Sequence, residues 1–437
     1  MRGAAVSRRI RGRAAGIAAT LLLACAPWAQ ADPGYDYPLE DPLAATVVGT
    51  PEEFRAALPE NLPLALRELP PPVERPTPEV LGYARPLHYG LAAQDGPAPL
   101  AYVIAGTGGD ALGANNRLLA RILHDAGFHV VTLPSPTTVT FMLNAATHPV
   151  PGRMSADVAD LYRLMRLVDA RVSAELDIEG RYLTGYSLGA TQAAFVARHD
   201  ETAGAFGFRR VLLVNPAVDV YGSVRRLDAL LLEGLPQGIA DLPVFLERTM
   251  AQLKRLYGEG DPLRFETDVL YRAYLRARPD RDNLAGMVGL AFRLALANMA
   301  FAADLITDSG VILPAGSDPD IGDSLEPYLM RSFGMTFAEY VDRLLLPYHR
   351  AREPGLTRES LIAESDLRRI APYLRNATHI GVVTNRDEPI LDDAELGFLS
   401  ETFGERAYIY PHGGHLGNIG QHQTARDIQR FLTGERR

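Results

Sequence analysis

Short apolar runs alternate with amphipathic helical segments along this 437-residue chain, and no feature of the sequence limits the fold more. Residues 88–92, 100–105, 128–133, 181–184 and 210–214 read as strands. A helix with Leu118, Leu119, Ile122 and Leu123 on one face occupies 115–126 and stops at Gly127. A longer helix over 155–176 follows, capped by Ser155-Ala156-Asp157, and another begins at Leu188. Strands that are apolar throughout, each followed by a helix, predict a mostly parallel sheet covered on both faces, an α/β fold. The alternation stops near Ala217 and resumes near Thr378, with strands at 380–384 and 408–410 and a terminal helix over 423–432.

The interval 217–371 reads as helical, with segments at 242–257, 267–276, 284–306 and 337–346. The third is the most apolar, but Arg293, Asn298 and Asp304 make it a poor membrane span and a good buried cap helix. An insertion of this size between two strands predicts a helical lid. The expected organisation is therefore a core of 83–216 and 372–437, a lid of 217–371, and a proline-rich arm of 32–82. Pro70-Pro71-Pro72 and the Pro76/Pro78 pair suit either an extended arm or a tether.

Ahead of the arm, Arg2, Arg8, Arg9, Arg11 and Arg13 precede an apolar stretch over 14–26, and Ala29-Gln30-Ala31 follows. This is the pattern of an export signal cleaved after Ala31, predicting a periplasmic or secreted protein. Leu22-Leu23-Ala24-Cys25 offers the other processing route, a lipobox that would tether the protein to a membrane through Cys25. Cys25 is the only cysteine, so no disulfide, thiol chemistry or cysteine-ligated metal is expected, and no cofactor is called for. With 44 basic and 53 acidic residues the net charge is −9, and loss of the signal arginines makes the body more acidic still. No Lys/Arg cluster is present, which argues against nucleic acid as a partner.

The chemistry lies in Gly185-Tyr186-Ser187-Leu188-Gly189, placed between a strand and a helix-forming run. Small residues on either side of a serine permit a sharp turn that presents its hydroxyl at the sheet's carboxyl edge. This strand–elbow–helix resembles the α/β-hydrolase superfamily, over residues 81–214 and from 377 onward. The resemblance implies the α/β-hydrolase fold with a cap inserted between two late strands, and Ser187 as nucleophile. It places one oxyanion donor at the Leu188 amide. The second is implied in Gly106-Thr107-Gly108-Gly109, where Ala105-Gly106 replaces the common His-Gly opening and leaves both Thr107 and Gly108 as candidates.

The family order of serine, acid and histidine implies His415 in Pro411-His412-Gly413-Gly414-His415 as the base, with His412 second. It implies Asp387 in Asn385-Arg386-Asp387-Glu388-Pro389 as the acid, with Glu388 and Asp219 as rivals. The expected reaction is hydrolysis of a carboxylic ester, small or lipid-like, whose acyl or alkyl group is hydrophobic. The same residues would serve a peptidase, an amidase or a thioesterase, and a non-catalytic envelope binding protein is the reading from another class.

Overall fold

The computed structural model describes residues 34–59, 61–235, 237–245, 247–248 and 267–435. The export-signal reading, on residues 1–31, lies outside the described residues, as does most of the helix expected over 242–257. Eight strands form one sheet: β1 (Leu64–Leu69), β2 (Leu87–Ala92), β3 (Ala98–Ile104), β4 (His129–Leu133), β5 (Ile178–Tyr186), β6 (Val211–Val214), β7 (Ile380–Asn385) and β8 (Ala407–Tyr410). Their spatial order is β1-β2-β4-β3-β5-β6-β7-β8. Only the β1–β2 and β2–β4 pairings are antiparallel. The remaining five neighbours run parallel.

The two-residue period of a strand explains why β3 and β6 are apolar at every position. Leu100, Tyr102 and Ile104 of β3 join Leu183, Val211 and Leu213 in one core, against the Met154–Glu175 and Leu188–Ala203 helices. Ala101, Val103, Leu212 and Val214 join the opposite core, against the Ala114–Asp125 and His422–Thr433 helices. The crossovers leave the carboxyl ends of β3, β5, β6 and β7 along one edge, where the loops that could carry chemistry meet.

Between β6 and β7 the described chain contributes no strand and builds the helical cap. Its longest helix, Arg281–Thr307, is long and apolar enough to cross a membrane, yet it is mostly buried within the cap. Two of the polar residues that argued against a span, Arg293 and Asp304, have structural partners. Arg293 pairs with Asp228 at 2.6 Å and also donates to the Phe333 carbonyl. Asp304 accepts the backbone N–H groups of Val311, Ile312 and Leu313, fixing the turn after the helix.

Within the fold, the structure departs from the sequence expectation at one helix cap and adds regular elements to the proline-rich segment. The Met154–Glu175 helix starts from Arg153 with no side-chain cap, because Ser155 and Asp157 lie inside it and bond elsewhere. The segment expected as an arm or tether supplies β1, in full register with β2, and a helix at Pro42–Val48. Asp41 caps that helix by accepting from Leu43 and Ala44, and proline sits in its first turn where no N–H is needed. Proline content marked the segment as extended without showing that its neighbour was a sheet edge.

Candidate active site

Ser187 stands between β5 and the Leu188–Ala203 helix with φ 55° and ψ −127°, a backbone conformation that a non-glycine residue holds only when its surroundings force it. The flanking glycines create those surroundings. A Cβ on Gly189 would lie 2.3 Å from the Ile104 carbonyl oxygen and 2.5 Å from that of Ala105; one on Gly185 would lie 2.4 Å from the Gly189 carbonyl oxygen. All are backbone atoms, which cannot rotate away. Gly189→Ala is therefore expected to lower stability by about 2–3 kcal/mol in urea titrations. Displacing the elbow should also cut ester turnover by about 100-fold.

Ser187 and His415 come together across the sheet edge, with Oγ 3.0 Å from the His415 Nε2. The other ring nitrogen, Nδ1, lies 2.8 Å from Oε1 of Glu388, and serine, histidine and glutamate are all buried. Asp387 does not reach the imidazole, and here the structure corrects the sequence expectation. Its carboxylate accepts the amides of Gly413 and Gly414 at 3.2 and 3.0 Å, so it ties down the backbone of the loop that carries His415. Burial raises its pKa, opposed by those two amides. Neighbouring residues in the loop after β7 aim their side chains at different targets, and the longer glutamate side chain is the one directed at the ring.

The two remaining rivals, Asp219 and His412, make other contacts. Asp219 precedes the Val220–Glu233 helix, and its amide donates to Glu395. The His412 ring contacts Tyr35 and Tyr37, and its Nε2 lies 2.8 Å from the Tyr37 carbonyl. The proline-rich segment thus occupies this second histidine and holds the first. The His415 amide donates to Thr46 Oγ1 at 2.8 Å, and Gly414, at φ 56°, leaves only 2.1 Å between a Cβ and the Pro42 carbonyl oxygen.

Asn215, at the end of β6, escaped the sequence reading. Its Nδ2 donates to Oε2 of Glu388 at 2.6 Å, fixing the carboxylate oxygen that the histidine does not use. It sits at φ 46°, a left-handed conformation that asparagine tolerates better than most residues, and this is the one signal its residue type carries. Asn215→Gly suits that backbone and deletes the bond. A hydrogen bond to a buried charge is at stake, so kcat should fall about tenfold with KM little changed, measured by steady-state kinetics on a nitrophenyl ester.

For the two candidate oxyanion donors after β3, the geometry separates them. The Gly108 amide donates to Thr137 Oγ1 at 2.8 Å and is already engaged. Thr107 lines the same cavity as Ser187 and Leu188, and Leu188 opens a helix whose first amides point toward the serine. That cavity, about 100 Å3, runs beneath the cap and is walled mainly by apolar side chains such as Val220, Val224, Phe292 and Met299. The Phe292 ring from the long cap helix stands 6.1 Å from the His415 ring, so the cap faces this histidine directly. Among the described residues no cluster of His, Cys, Asp or Glu is arranged to hold a metal ion.

No family model matches the chain, and no curated protein matches it. Solved structures similar to it include a thermostable esterase from Pseudomonas putida, at 14% identity over 85% of this chain and 82% of that one, TM-score 0.39. Another is an esterase from Pyrobaculum calidifontis, at 15% identity over 86% of this chain and 85% of that one, TM-score 0.38. A third is a bacterial membrane phospholipase A, at 16% identity over 85% and 86%, TM-score 0.37. Likenesses this distant carry no functional argument, and the chemistry rests on the side chains themselves. The strand order, the serine elbow after β5, the acid after β7, the histidine after β8 and the cap between β6 and β7 together give the chain the α/β-hydrolase fold.

Proposed function

We propose that the protein is a serine hydrolase that cleaves carboxylic esters with a hydrophobic acyl group, through an acyl-enzyme on Ser187. One observation carries the reading: the continuous buried chain from Ser187 Oγ through the His415 ring to Glu388, opening on an apolar cavity. In the first half-reaction Nε2 of His415 takes the hydroxyl proton as Oγ attacks the ester carbonyl. The tetrahedral oxyanion is held by the Leu188 and Thr107 amides, and Glu388 stabilises the imidazolium across a short, buried contact. The imidazolium then gives its proton to the departing alkoxide. Water repeats the sequence on the acyl-enzyme, releasing the carboxylic acid and restoring Ser187.

An apolar cap favours this chemistry because it excludes bulk water from the developing charges, and it favours a hydrocarbon chain as the group bound. A fluorophosphonate probe tests the reading. Covalent labelling of the folded protein that disappears in Ser187→Ala is the expected result. Folded protein that takes no label would instead point to a non-catalytic binding role. Nitrophenyl esters run beside aminoacyl amides and acyl thioesters decide the bond cleaved, with the ester expected to turn over fastest. The export signal belongs to the same proposal: N-terminal sequencing of protein from the cell envelope should begin at Asp32.

A further inference from the structure

The mechanism above leaves one buried titratable group on the cavity wall without a task. Asp157 lies in the first turn of the Met154–Glu175 helix and lines the cavity that holds Ser187, among otherwise largely apolar neighbours. Only 7% of it remains exposed. Its Oδ2 accepts the Gly152 amide at 2.9 Å, which leaves Oδ1 for a ligand. Among the described residues no cation neutralises it: Arg153 nearby is bound to Glu353 and Glu364, and Arg163 to Asp160. Tyr340, on the same wall, already donates its hydroxyl proton to the Pro151 carbonyl.

We infer that Asp157 is a specificity residue for the ester substrate, and that the preferred acyl chain carries a hydroxyl group, several bonds from the scissile carbonyl, which hydrogen-bonds to the Asp157 carboxyl. The inference rests on the ester-hydrolase reading and names its substrate class more closely. A polar group exposed only to an apolar cavity gains when a ligand supplies a hydrogen bond there, and a plain hydrocarbon would leave it unpartnered. Burial, with Asp160 adding to it and the Gly152 amide opposing, pushes the carboxyl up to about 7, so both of its protonation states occur near neutrality. A hydroxyl matches either state, accepting from the acid or donating to the carboxylate. An ammonium would have to be stripped of water in an apolar channel and would suit only one state.

The test is a set of nitrophenyl octanoates that carry a hydroxyl at successive carbons, compared with unsubstituted octanoate and with an amino-substituted analogue. Wild-type protein should favour one hydroxy isomer over the parent ester by about tenfold in kcat/KM, the worth of one hydrogen bond in a closed site. In Asp157→Leu that ratio should fall to about one. Equal turnover of every isomer by the wild type, preference for the amino analogue, or a preference that survives Asp157→Leu would overturn the inference. The wild-type scan decides even where the leucine variant does not fold. Fluorophosphonate labelling and turnover of the unsubstituted ester report separately on Ser187, so loss of the hydrolase reading is distinguishable from loss of this one.

Discussion

Glu388→Gln is expected to lower kcat/KM for a nitrophenyl ester by about 10,000-fold, whereas Asp387→Asn should cost no more than about tenfold. Glutamine preserves the shape of the side chain but not its charge. Its amide can turn an N–H toward Nδ1 of His415 in place of the carboxylate that now stands 2.8 Å away. The ring would then carry its proton on the nitrogen facing Ser187 and could not accept the serine proton. Losses of about four orders of magnitude accompany that tautomer error in a serine protease triad. The imidazolium would also lose its counter-charge in a buried site, where charge interactions are strong. Asp387 has no such part. It receives two backbone amides at the start of the histidine loop. Asparagine keeps one acceptor oxygen for them, so the expected damage is a looser loop and about 1 kcal/mol of stability. Circular dichroism and urea midpoints establish that each variant folds, and steady-state rates then separate them. A collapse of activity in Asp387→Asn, with Glu388→Gln nearly intact, would transfer the role of the acid to Asp387.

That exchange of neighbouring acids shows where the sequence stopped being legible. The serine was readable because an elbow needs small residues at fixed positions on both sides, a demand local to five residues. His415 was readable because the chain order after the last strand limits the choice, and a glycine-rich loop has to reach the serine. Choosing between Asp387 and Glu388 requires the position of the histidine loop after β8, which both side chains meet and which is fixed by contacts far away in sequence. Gly414 packs on Pro42, Thr46 accepts the His415 amide, and Asn418 bridges Tyr35 and Asn385. Three of those four partners, Pro42, Thr46 and Tyr35, lie in a segment whose prolines indicated an extended chain and nothing about what it touched. Asn215 was hidden for a similar reason, since an asparagine at a strand end is common and its partner is 173 positions away. The sheet and the cap were legible because they follow from periodicity, which is local.

Between pH 4 and pH 8, the stability of Asp157→Asn relative to the wild type should rise by a few kcal/mol. The sign follows from proton counts. In the folded protein the Asp157 carboxyl is raised from the ordinary aspartate value to about 7, chiefly because burial disfavours its charge. Through the interval between those values the unfolded chain gives up a proton that the folded chain keeps. The unfolded state is therefore favoured progressively as pH rises, and the penalty levels off above the folded value. A shift of about three pH units corresponds to roughly 4 kcal/mol if the whole of it is expressed. Asparagine does not titrate, and its Oδ1 can still accept the Gly152 amide, so its own curve lacks this pH dependence. Asp387 and Glu395, also raised by burial, act with the same sign but in both proteins, and they cancel in the difference. Urea midpoints at matched pH values measure the effect, and curves that stay parallel would show that Asp157 titrates like an exposed aspartate. A carboxyl with this cost gives the fold only one backbone hydrogen bond, which an asparagine could make as well. Its position on the wall of the Ser187 cavity, with one oxygen left for a ligand, supplies the reason to keep it.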